Sequence, residues 1–128
     1  MSLPTPGALR LATLTAASAP SSLRRLVGKA LRLFRSRHLL APGTTEGCRD
    51  AIHALGLSLI QAPIPMVIGE RGGITIGLAD SDRYRGADQL DARLLCPSCR
   101  RAWKLAGITR LETLDGAIAG HVCFGEAA

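Results

Sequence analysis

The chain has 128 residues, of which 47% are hydrophobic and 20% charged, so it carries enough apolar side chain for a core and is not simply disordered. Its only aromatic residues are Phe34, Tyr84, Trp103 and Phe124, so the core has to be aliphatic and no platform of several stacking rings is available. The formal net charge is +6 and unevenly placed: residues 1–45 hold seven Lys or Arg and no acid, whereas the other 83 hold nine bases and ten acids. That asymmetry speaks about partners rather than fold.

Residues 1–20, with Pro4, Pro6, Gly7 and Pro20, read as an extended arm in which Leu9, Leu11 and Leu14 can dock as a short strand or helical turn. Ala17-Ser18-Ala19 has the form of a signal-peptidase site, and the acid-free start has the composition of a transit peptide. Pro20 and the missing basic start argue against the first, and a soluble cytoplasmic protein is expected. Ser21 or Ser22 can cap a helix running from Leu23 to about His38. Its apolar stripe is Leu23, Leu26, Val27, Ala30, Leu31, Leu33 and Phe34. Arg24, Arg25, Lys29, Arg32 and Arg35 fall on the opposite face, with Arg37 and His38 extending the charge. Several cations without an intervening acid predict contact with a polyanion, most simply nucleic-acid phosphates. A solvated face, an anionic membrane surface and an acidic protein are the competing readings.

Ala41-Pro42-Gly43 turns the chain, and Thr44 or Thr45 caps a second helix with Glu46 and Asp50 near its N-terminus. Cys48, Ala51, Ile52, Leu55 and Leu59 form its stripe, which makes Cys48 a core residue first and a spare metal ligand second; Pro63 ends the helix. His53 lies off the stripe and reads as a surface histidine. Ala51 to Gly69 is uncharged for 19 residues, but Pro63, Pro65, His53 and Gln61 exclude one continuous membrane span. Ile64–Ile68 and Ile74–Leu78 predict a hairpin around the glycine-rich Gly69–Gly73 turn, which lacks the ending of a phosphate loop. From Ala79 to Asp91 the chain is polar; Asp80, Asp82, Asp88 and Asp91 fit no calcium loop and read as a solvated linker.

Beyond that linker, Cys96-Pro97-Ser98-Cys99 and His121-Val122-Cys123 make C-x2-C-x21-H-x-C. Two Cys separated by two residues fold a knuckle around one edge of a metal tetrahedron. His121 and Cys123, two apart on a strand, leave one face together and can supply the opposite edge. Asp115-Gly116 supplies a hairpin turn between strands Ile108–Leu114 and Ala117–Cys123. This stretch, residues 93–125, resembles a zinc ribbon, departing from it in the H-x-C second pair and a slightly longer spacer. The resemblance implies structural Zn2+ on Cys96, Cys99, His121 and Cys123. A thiol redox pair and buried, unliganded cysteines are the alternatives.

Catalytic zinc lacks support: Ala54-Leu55 follow His53 where a deaminase needs x-Glu, Leu95 stands where it needs Pro, and no H-E-x-x-H occurs. Trp103 is placed to cover the metal. Arg100, Arg101, Lys104 and Arg110 form a second basic patch, of which Arg100, Arg101 and Lys104 join the expected nucleic-acid contacts.

The expected architecture is α+β: residues 1–92 hold two helices, a hairpin and an acidic linker, and residues 93–128 form a zinc-ribbon-like β module. The expected function is that of a non-enzymatic accessory subunit of a nucleoprotein assembly, contacting the nucleic-acid backbone with little sequence preference and other protein subunits, with no membrane. A protein–protein adaptor without nucleic acid is the alternative.

Overall fold

In a computed structural model of the chain, residues 18–36, 42–61, 63–81 and 88–123 are described. The expected arm (residues 1–17), the helix extension through Arg37 and His38, and Asp82 lie outside the described residues. The remainder is mixed α and β: helices α1 (Ser21–Leu33), α2 (Thr45–His53) and α3 (Leu111–Ala119), and strands β1 (Ser58–Ile60), β2 (Met66–Arg71), β3 (Ile74–Asp80), β4 (Leu90–Leu95) and β5 (Ala102–Ile108). The strands form one antiparallel meander in the order β1-β2-β3-β4-β5. No described helix is long and apolar enough to cross a membrane.

Helix α1 follows its stripe, with Leu26, Val27 and Ala30 fully buried and Leu23 and Leu31 nearly so. Each buried Leu or Val contributes about 1.5–3 kcal/mol by leaving water. Two end expectations need correction. The helix starts at Ser21 behind Pro20 with no side-chain cap, because Pro20 at the cap position has no side-chain acceptor and Ser21 and Ser22 are already inside the first turn. It also ends at Phe34, and Arg35 turns into the left-handed region at φ 55°. Arg35 is therefore beyond the helix and not on its polar face. Helix α2 is capped by Thr44, whose Oγ1 accepts the Gly47 N–H at 3.0 Å.

The second helix is shorter than its apolar spacing predicts. It stops at His53, Gly56 takes φ 77°, and Leu59 lies on strand β1 instead of the helix stripe. Gly56 makes that exit without steric strain, and the short Leu57–Ile60 run can then pair with β2. The expected β2–β3 hairpin is present but tighter: Arg71 pairs Ile74, and Gly72 and Gly73 form the two-residue turn at φ 58° and 79°. The strands alternate. Val67, Ile74, Ile76, Leu78, Leu90, Ala92 and Leu94 are buried under α1 and α2, while Ile68, Thr75, Gly77, Arg93 and Leu95 face the other way.

The acidic stretch is not a free linker. Its ends are β3 and β4, which pair from Thr75↔Leu95 to Asp80↔Leu90, so the boundary drawn at residues 92/93 falls inside β4. The larger correction concerns the C-terminal end. Where a second hairpin is expected, Leu111–Ala119 is helical, and Asp115-Gly116 lies inside the helix. Leu111, Leu114 and Ile118 recur at helical spacing, with Leu114 fully buried and the others packed on the core. Asp115 is fixed by the Arg71 guanidinium, at 2.5 and 3.0 Å, and this tertiary pairing overrides the Asp-Gly turn preference. The helix sits close over the β2–β3 turn: a Cβ on Gly72 would come 2.9 Å from Ile118 Cγ2.

Candidate metal centre

Two elements bring the four ligands together. Cys96 follows β4 directly, and its N–H donates to the Arg101 carbonyl at 2.9 Å. The Arg100 N–H returns to the Cys96 carbonyl at 2.7 Å, closing a turn in which Arg100 takes φ 59°. The C-x-x-C knuckle is thus the loop of the β4–β5 hairpin. The other pair comes from the segment after α3 and not from a strand as expected. Gly120 ends the helix, the His121 N–H donates to the Ile118 carbonyl at 3.2 Å, and His121 and Cys123 then reach the knuckle. A helix exit serves as well as a strand here, because Gly120 stays in the right-handed helical region and lets the chain drop back onto the loop.

The four ligand atoms lie within 4.8 Å of one another. Cys96 Sγ is 3.6 Å from Cys123 Sγ, and Cys99 Sγ is 3.5 Å from His121 Nε2. A tetrahedron with metal–sulfur bonds of about 2.3 Å and a metal–nitrogen bond of about 2.0 Å has S···S edges of about 3.8 Å and S···N edges of about 3.5 Å. The spacing therefore fits a bound metal ion, and one ligand atom from each of four side chains leaves no tetrahedral position for water.

The electrostatics favour thiolate. The Cys96 thiol is lowered to about 6, first by the hydrogen bond from the Cys99 backbone N–H, against burial, and further by His121, the Ser98 backbone and Cys123. None of the four cysteines is in a disulfide. Cys48 is elsewhere: it is fully buried in the core, its Sγ contacts the Pro42 carbonyl at 3.4 Å, and burial pushes its thiol up.

Trp103 stacks on His121 with ring centroids 4.9 Å apart and planes 18° from parallel, which orients the imidazole. Arg71 holds Asp115 and lies over the Phe34 ring, tying α3, the source of His121, to the sheet; this pairing holds the Asp115 carboxyl below the usual range. Sequence reasoning singled out the four clustered side chains and Trp103 but missed Arg71 and α3. The complementary Arg71 and Asp115 were separated by 44 residues, with no local pattern joining them.

The expected nucleic-acid cations divide into two groups. On α1, Lys29 is buried, its ammonium bonded to Asp80 and, at 3.1 Å, to the Gln89 carbonyl. Arg25 also reaches Asp80, at 3.2 Å, and Arg32 reaches Asp88 at 2.7 Å. Arg35 chelates Glu112 at 2.5 and 2.6 Å. Only Arg24 of the five is exposed without an ion pair among the described residues. Arg100, Arg101 and Lys104 are exposed around the knuckle and β5, and none has an acidic partner among the described residues. The residue that sequence reasoning passed over is Arg93, directly opposite Lys104.

Comparison of the chain with family models, curated proteins and solved structures finds no match.

Proposed function

We propose that the chain is a non-catalytic interaction module of a larger protein assembly, pinned at one corner by a structural zinc ion in a zinc-ribbon-like site. Zinc is the metal whose preferences match three thiolates and one imidazole at tetrahedral spacing. With four protein ligands the ion would be closed to substrate, and its chemistry would be structural: it joins the β4–β5 loop to the segment after α3.

The observation that carries the interaction reading is the bare face of the sheet. Among the described residues, helices α1 and α2 cover one face, while the other presents Met66, Ile68 and Leu95 around a shallow groove of about 490 Å³, with Ile60 on the neighbouring edge strand. Ile60 and Leu95 are each 43% exposed and the adjoining Ile64 66%. Such an apolar patch on a small chain is a docking surface by default. A nucleic-acid backbone gains nothing from aliphatic side chains, which favours protein.

A second reading, backbone contact with nucleic acid, keeps support from the exposed and unpaired Arg100, Arg101 and Lys104. Native isolation of the chain from its own cells separates the two. The interaction reading expects a protein complex of fixed stoichiometry, with a protein-like ultraviolet absorbance ratio, that survives nuclease. A lone chain, or a complex that nuclease dissolves, overturns it; the latter, with binding that falls steeply in salt, is the outcome for nucleic acid.

A further inference from the structure

Resting on the interaction-module reading above, we infer that the bare sheet face docks an acidic amphipathic segment of a partner protein, with its carboxylates on Arg93 and Lys104. These two residues are cross-strand partners on β4 and β5, both exposed. Like charges directly opposite each other in a sheet repel, and neither has an ion-pair partner among the described residues. The contrast with α1 is direct, since Arg25, Lys29, Arg32 and Arg35 each meet an acid of the same chain. Asp91, two residues before Arg93 on the same face, is not within ion-pair distance of either cation; its carboxylate accepts the Gly107 N–H at 3.0 Å.

The groove beside the two cations is apolar, lined by Met66, Ile68 and Leu95. Its floor is Gly77, which faces Ile68 on one strand and Arg93 on the other. A Cβ at Gly77 would come 3.0 Å from Met66 Sδ, so the Met66 side chain lies over the glycine and keeps this part of the surface apolar. An apolar side chain from outside can pack on Met66, Ile68 and Leu95 while an acid beside it meets Arg93 or Lys104. The occupant must therefore be apolar and anionic together.

Other occupants fit less well. Nucleobases find no free ring, because Trp103 is already stacked on His121. A second copy of this chain brings the same two cations to the interface. Residues 1–17 contain Arg10 and no acid, so that segment has nothing to answer the pair.

The test uses the zinc-loaded full chain and three labelled amphipathic peptides that share one leucine stripe, with Glu, Gln or Lys on the other face, plus a single-stranded oligonucleotide. Binding is read by fluorescence anisotropy, and its location by amide chemical shifts. The expected order is Glu over Gln over Lys, with shifts centred on Ile68, Gly77, Arg93, Leu95 and Lys104. The double substitution Arg93→Glu with Lys104→Glu reverses the order, weakening the Glu peptide by about tenfold or more. If that variant does not fold, Arg93→Gln with Lys104→Gln must flatten the preference.

Equal binding of all three peptides at this face removes the acidic partner while leaving the interaction-module reading intact. An oligonucleotide that displaces the Glu peptide, concentration-dependent dimerisation with shifts on the same face, or no shift there with any probe each overturns the inference. Failure of the reading itself is seen separately, as a chain that carries no protein partner when isolated natively.

Discussion

The two corners of this molecule are held by different physics. At one, α1 and α2 lie on β2–β4 and bury Leu23, Leu26, Val27, Ile52, Val67, Ile76 and Leu78 to 1% exposure or less. At the other, the segment from Cys96 to Cys123 has few buried apolar residues: Ile108 and Leu114, with Cys96 itself. Leu111, Ile118, Trp103 and Cys123 are only partly covered. The first corner can stand on hydrophobic burial. The second is too thinly packed for that, and small units of this kind are closed by a metal or a disulfide. With no disulfide and four Cys and His atoms at metal spacing, a bound ion is the closure we propose.

Breaking the metal corner should have the largest local effect. Cys99→Ser removes one ligand, and structural zinc sites contribute about 10–16 kcal/mol of apparent binding free energy in isolated fingers at neutral pH. The expected result is loss of bound metal and of amide-exchange protection in α3 and around the knuckle, while α1 and β2–β3 stay protected. Uniform loss of protection across both corners would mean that they are not separable.

The opposite perturbation is Leu78→Ala, at a fully buried position between α1 and the sheet. It should cost about 2–5 kcal/mol in chemical denaturation while zinc content stays at wild type. Asp80→Asn acts on the same side by leaving the Lys29 ammonium buried opposite a neutral group. Removing one partner of a buried pair costs about 3–5 kcal/mol. The value here should fall at or below the low end, because Asp80 is partly exposed and Gln89 still accepts from Lys29.

Acidification separates the corners without mutation. Zinc competes with protons for its ligands, so metal affinity is predicted to fall progressively on acidification and to be lost as the pH drops through the Cys96 value of about 6. Trp103 is the only tryptophan and stacks on a ligand, so its fluorescence should report the release. A flat emission and constant zinc content through pH 5 would contradict this. The smallest effect belongs to Arg71→Ala, which frees α3 from a partly exposed ion pair. It should cost up to about 1 kcal/mol and loosen the second corner alone, seen as faster exchange in α3.

The same contrast explains what the sequence made legible. Dense local patterns were the legible ones: the α1 stripe, the helix cap at Thr44, the β2–β3 hairpin, whose turn is shorter than the expected Gly69–Gly73, and the four Cys and His side chains that come together at a spacing able to hold a metal ion. Errors arose where two local patterns compete and a distant residue decides. Asp115-Gly116 is a good turn in isolation, and Arg71 from another strand makes it part of a helix. Leu55 and Leu59 continue a helical spacing, yet pairing with β2 draws Leu59 into a strand. The charges show the same limit. The basic run on and just after α1 carries no acid in its own segment, but Asp80, Asp88 and Glu112 arrive from β3, the turn before β4 and α3. Arg93, far from Lys104 in sequence, becomes its cross-strand neighbour, and neither has an ion-pair partner among the described residues.

The central claim, that one ion closes the second corner, is tested most directly by X-ray absorption at the zinc edge on the purified chain, with metal content measured on the same sample. The account predicts one zinc per chain, with three sulfur neighbours at about 2.3 Å and one nitrogen at about 2.0–2.1 Å. A chain purified under reducing conditions without metal, or zinc ringed by oxygen and nitrogen alone, would contradict it.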